Sequence, residues 1–131
     1  MIDEQRFSPG RRVGVSLVDG DSDVRHARQI MLRSENYDVR AYATCAALLA
    51  DPRSRDYGCI ILDVASNDVA GVALLSQMRA TGWRGKAILL DGDDPGGVLR
   101  DDVERHGDKV LKRGIGDRTL LTAIEATVEG A

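Results

Sequence analysis

Apolar residues in this chain come in short runs separated by longer stretches of mixed polarity. The runs predict strands at 13–18, 37–41, 58–63, 86–90 and 108–112. Three of them, 13–18, 58–63 and 86–90, are almost continuously apolar, as suits strands covered on both faces. Run 37–41 alternates Tyr37, Val39 and Ala41 with Asp38 and Arg40, the pattern of a sheet edge. Between the runs the spacing turns helical. Residues 22–34 place Val24, Ala27, Ile30 and Met31 on one face, and residues 44–51 open on Thr44 as an N-cap. Residues 70–80 carry Val72, Leu75 and Met78, and residues 117–128 start at Asp117 and space Leu120, Leu121, Ile124 and Val128. A thinner stripe of Val98, Leu99 and Val103, opened by Gly96 and Gly97, predicts a further helix over 96–106. Strand and helix alternating in this way predict a single α/β domain, three layers deep. Its five parallel strands would be joined by right-handed crossovers that put helices on both faces.

Composition narrows the function without defining it. A length of 131 residues suits one core. The net charge of −3, with Lys and Arg scattered along the chain, argues against a phosphate-binding face for nucleic acid. No run approaches the ~18 apolar residues of a membrane span, so no membrane contact is expected. Residues 1–11 are polar, lack the apolar segment of a secretion signal and are expected to form a frayed lead-in to a domain over 12–131. Cys45 and Cys59 form neither a CxxC nor a metal spacing. Cys59 lies in an apolar run as a small core residue, which fits a cytoplasmic location.

The chemistry gathers where strands stop. Leu17-Val18 runs into Asp19-Gly20-Asp21, and Ile61-Leu62 runs into Asp63. If these strands are neighbours, their carboxylates meet at the carboxyl edge of the sheet, where α/β proteins place their sites. Two such charges ~4 Å apart cost about 4 kcal/mol at an effective dielectric near 20, so a cation or a proton must intervene. Hard oxygen donors favour Mg²⁺, and a carboxylate beside that ion can act as a nucleophile toward phosphorus. Simpler roles stand beside these. Asp63 can cap the loop after it, and Asp21 can cap the helix at 22–34.

These residues resemble the receiver domain of two-component response regulators, particularly receivers that precede a helix-turn-helix output domain. The resemblance covers residues 12–128. It rests on Leu17-Val18-Asp19-Gly20-Asp21-Ser22-Asp23-Val24-Arg25, Ile61-Leu62-Asp63, Gly71 and Val110-Leu111-Lys112. It implies the sheet order 2-1-3-4-5. It also implies that Asp63 is the phosphorylation site, that Asp19, Asp21 and Asp63 hold Mg²⁺, and that Lys112 neutralises the phosphoryl group. The partners implied are a histidine kinase or phosphotransfer protein upstream and an output domain or partner protein downstream. Such a chain is a signalling module and not an enzyme.

Three positions depart from the family pattern. Gly20 stands where a second acid is usual, Asp91 where the fourth strand ends on Ser or Thr, and Arg113 where a proline follows the lysine. Asp91, the switch position, matters most. A carboxylate ~5 Å from a phosphoryl group would oppose it by a few kcal/mol. Turned outward into Asp91-Gly92-Asp93-Asp94, it would not. The expectation is an atypical receiver that signals through protein contacts, with an ordinary Mg²⁺-dependent phosphoacceptor as the alternative. Asp19-Gly20-Asp21 also resembles the DxD of haloacid-dehalogenase-like phosphatases, but the chain has no room for a cap. A calcium loop is excluded because Val24 stands where glycine is needed. Trp83 is read as either a partner contact or a lid on the core, and His26 and His106 as surface residues.

Overall fold

Five short strands pair in parallel in the order 2-1-3-4-5: β1 (Gly14–Val18), β2 (Asp38–Tyr42), β3 (Cys59–Val64), β4 (Lys86–Asp91) and β5 (Lys109–Lys112). The computed structural model describes residues 13–64, 69–91 and 107–129. The expected lead-in at 1–11 and the expected helix at 96–106 lie outside them. The continuously apolar runs are the inner strands β1, β3 and β4, and the alternating run is the edge strand β2, as their patterns require.

Among the described residues the helices are α1 (Ser22–Ser34), α2 (Cys45–Ala50), α3 (Val69–Ala80) and α4 (Asp117–Glu129). Thr44 caps α2 by accepting from the Ala47 N–H at 3.1 Å. The helix ends at Ala50 because Pro52 cannot continue it, and a 3₁₀ turn follows over Pro52–Asp56. The expected helix over 44–51 is therefore shorter.

Two cores flank the sheet, and strand alternation assigns residues to them. Val18, Ile60, Leu62, Ala87, Leu89 and Val110 face Leu48 of α2 and Leu74, Leu75 and Met78 of α3. Val15, Leu17, Cys59, Ile61, Ile88 and Leu90 face Leu32 of α1 and Leu120, Ala123 and Ile124 of α4. Trp83 belongs to the first core. It is 5% exposed and its indole N–H donates to the Tyr57 carbonyl at 2.8 Å, so it is a lid. Gly85 leaves room for it, since a Cβ there would sit 2.3 Å from the ring. Cys59 is buried, and desolvation pushes its thiol up to about 12.

One expectation needs correcting. Of the stripe Val24, Ala27, Ile30 and Met31, only Met31 packs against the core. Val24 and Ile30 are 37% and 56% exposed, and Ala27 is exposed. The inner face carries Arg25, Arg28, Met31 and Leu32, of which only Leu32 is fully buried. The reason is position: the first two turns of α1 lie over the acidic end of the sheet, where a cation is stabilised and a methyl group is not.

Candidate functional site

The pocket forms where β1 and β3 end. Val18 registers with Leu62, so Asp19 and Asp63 leave adjacent strands side by side. By alternation they continue the rows Val15–Leu17 and Cys59–Ile61, both on the α1 side of the sheet. Asp19 is 4% exposed. Its N–H donates to the Tyr42 carbonyl at 3.1 Å, its Oδ1 accepts from the Asp21 N–H at 2.9 Å, and its own carbonyl accepts from Arg25 at 2.8 Å.

Arg28 fills the space between the two acids. Its Nη1 donates to Asp19 Oδ2 at 2.8 Å and to Asp63 Oδ2 at 2.9 Å, and its side chain is 14% exposed. The other oxygen of Asp63 accepts from Arg113 Nε at 2.6 Å. Arg113 is 42% exposed, so water screens that pair more than the Arg28 pairs. Burial raises the Asp19 carboxyl above its ordinary 3.8. The Asp21 N–H and Arg28 work against that rise, and the charge of Asp63 adds to it.

The other expected site residues stand apart from this contact. Asp21 caps α1, its Oδ1 accepting from the N–H groups of Asp23 and Val24 at 2.9 and 3.1 Å. Lys112 closes β5 as an exposed residue in register with Asp91, which closes β4. The Asp91 side chain lies outside the described residues. Among the described residues, no three acids, histidines or cysteines are grouped to hold a metal. Among the described residues, the donor set therefore does not fit Mg²⁺ in this arrangement. Both oxygens of Asp19 and of Asp63 already accept hydrogen bonds, and Asp21 Oδ1 is committed to its cap.

Sequence reasoning missed Arg28 altogether, and noted Arg113 only as a missing proline. The signal was present as Arg25, Arg28 and Leu32 at helical spacing behind an acidic turn.

A doubly wound five-stranded parallel sheet with an aspartate pair at its carboxyl edge is the architecture of a receiver. The family model for the response regulator receiver domain matches residues 15–125, and the chain belongs to that family. Among its relatives is the transcriptional regulatory protein FixJ of Azorhizobium caulinodans, 25% identical over 114 residues, or 87% of this chain and 54% of that protein. The chain thus spans about half the length of the curated relatives it matches. The receiver domain of a putative LuxO repressor protein from Vibrio parahaemolyticus superposes with a TM-score of 0.76 at 22% identity, covering 92% of each chain. The response regulator TrrA from Thermotoga maritima, solved in complex with Mg²⁺ and BeF, gives 0.70 at 19% identity over 88% of this chain and 98% of that one. No helix of the described residues is long and apolar enough to cross a membrane.

Proposed function

We propose that this receiver works as a protein-contact module whose acidic pocket is degenerate, so that phosphate does not operate a switch in it. The observation that carries this reading is the occupancy of Asp63: one oxygen accepts from Arg28 and the other from Arg113. In-line attack on phosphorus needs a carboxylate oxygen free to approach. Here the nucleophile at the family's phosphorylation position is held by two arginines, one of them largely buried. Gly20, Asp91 and Arg113, at positions where the family carries other groups, point the same way. Lys112, at the position of the phosphate-neutralising lysine, is the residue that would meet a phosphoryl group.

The partners in this reading are a histidine kinase or phosphotransfer protein, and an output domain or separate protein downstream; the support is that the chain spans 54% and 55% of two relatives named as transcriptional regulatory proteins. The domain itself turns over no substrate, touches no nucleic acid or membrane and works in the cytoplasm.

The second reading, an ordinary Mg²⁺-dependent phosphoacceptor, is favoured by the convergence of Asp19 and Asp63 on one cation. Incubation with acetyl phosphate, or with beryllofluoride, in the presence of Mg²⁺ separates the two. The expected result is an unchanged intact mass and unmoved amide resonances in β4 and β5. Stoichiometric modification at Asp63, with displacement of those strands, establishes the second reading in place of the first.

A further inference from the structure

The pocket carries its own cation. Two carboxylates on adjacent strands require positive charge between them, and the group that sits there comes from α1. A single nitrogen of Arg28 donates to both Asp19 and Asp63, at 2.8 and 2.9 Å. An Nη1 has two hydrogens, so one carboxylate on each satisfies it. The guanidinium is also held in place. Asp21 caps the start of α1, Arg25 ties the helix to the Asp19 carbonyl, and Leu32, one turn beyond Arg28, is fully buried in the core beneath. Arg28 is thus part of the fold, on a helix that cannot rotate without exposing Leu32.

We propose that Arg28 is a resident substitute for the divalent ion of the receiver pocket: its guanidinium takes the place between Asp19 and Asp63, and a metal ion enters only as Arg28 leaves. Competition follows from the donor set. Arg28 occupies one oxygen of Asp19 and one of Asp63, and Asp21 Oδ1 is engaged in the cap of α1. Metal binding and the Arg28 contact are mutually exclusive. The domain folds with a cation already between these two acids.

The inference rests on reading this pocket as the receiver's acidic site, but its test is an equilibrium titration and involves no phosphoryl transfer. The full chain and its Arg28→Met variant, which keeps most of the stem and loses the charge, are titrated with MgCl₂ at ionic strength matched by NaCl. Amide shifts of residues 19–21 and 63 report binding, and thermal unfolding reports linkage. The parent chain is expected to bind weakly, and R28M to bind at least about tenfold more tightly. R28M should also melt lower than the parent without metal and recover in Mg²⁺, while the parent melting temperature stays unmoved. Arg113→Met leaves the bridging guanidinium in place and is expected to gain little affinity.

If R28M is unfolded without metal, its folding on addition of Mg²⁺ carries the same meaning, and failure to fold in Mg²⁺ counts against the proposal. Tight Mg²⁺ binding by the parent, no gain in R28M, or an equal gain in R113M would each overturn it. Phosphorylation of Asp63 in the parent chain would end the preceding reading and leave this one to the titration alone.

Discussion

Asp19 is the residue on which opposing forces meet most closely. Burial and the nearby charge of Asp63 favour its protonated form, while the Asp21 N–H and Arg28 favour its carboxylate. The first pair wins, and its folded pKa lies above the ordinary 3.8. The native state therefore holds this proton more tightly than the unfolded chain. The stabilisation is complete below the unfolded value and is lost as pH rises through the folded one. Carbon-detected titration of the side-chain carboxyl is expected to place Asp19 above 3.8 in the parent, and to move it down in Asp63→Asn, where the repelling charge is gone. An unchanged or higher value in that variant would mean that Asp63 is not the neighbour described.

Helix α1 shows what a sequence makes legible and what it hides. Its span, Ser22–Ser34, and its start after Asp21 follow from local rules, because capping and helical spacing are properties of adjacent residues. Its inner face does not. Counting apolar side chains selects Val24, Ala27, Ile30 and Met31, of which only Met31 packs on the core, whereas the helix turns Arg25, Arg28 and Leu32 inward beside it. Periodicity assumes that every buried surface is apolar, and here part of it is a pair of aspartates contributed by two distant strands. The same long-range origin explains why the meeting of Asp19 and Asp63 was legible only through strand pairing and family resemblance, and why the Arg113 contact was not. Asp21 offers a test at this scale, since it was open to a capping or a metal-binding role. Asp21→Ala removes the acceptor for two N–H groups and is expected to cost about 1 kcal/mol in chemical denaturation, while Asp21→Asn, a cap of similar strength, costs a few tenths. An alanine variant as stable as the parent would rule out the cap as a stabilising contact.

The whole domain is pinned at both ends of its sheet, by different chemistry. At the carboxyl edge lies the arginine–aspartate cluster. Near the amino edge, Asp108 accepts from the backbone N–H of Ala87 and from Arg79 at 2.8 Å each, tying β4 and the approach to β5 onto the end of α3. The Asp108 side chain is fully buried, while that of Arg79 is 25% exposed. Removing the acid strands a backbone donor and a partly buried cation, so Asp108→Ala is expected to cost about 3 kcal/mol, the low end for breaking a buried pair. Asp63→Asn should cost far less, because it also removes the repulsion with Asp19. Asp63 registers with Leu90, three residues along β4 from Ala87, a separation of about 10 Å, and the two clusters share no side chain. Sites so placed should act independently, so the double variant should lose the sum of the two single losses within about 0.5 kcal/mol. A denaturation cycle departing from additivity by more than about 1 kcal/mol would show that the sheet couples its two ends. The acidic pocket would then be sensed at the far edge of the domain with no phosphoryl group involved.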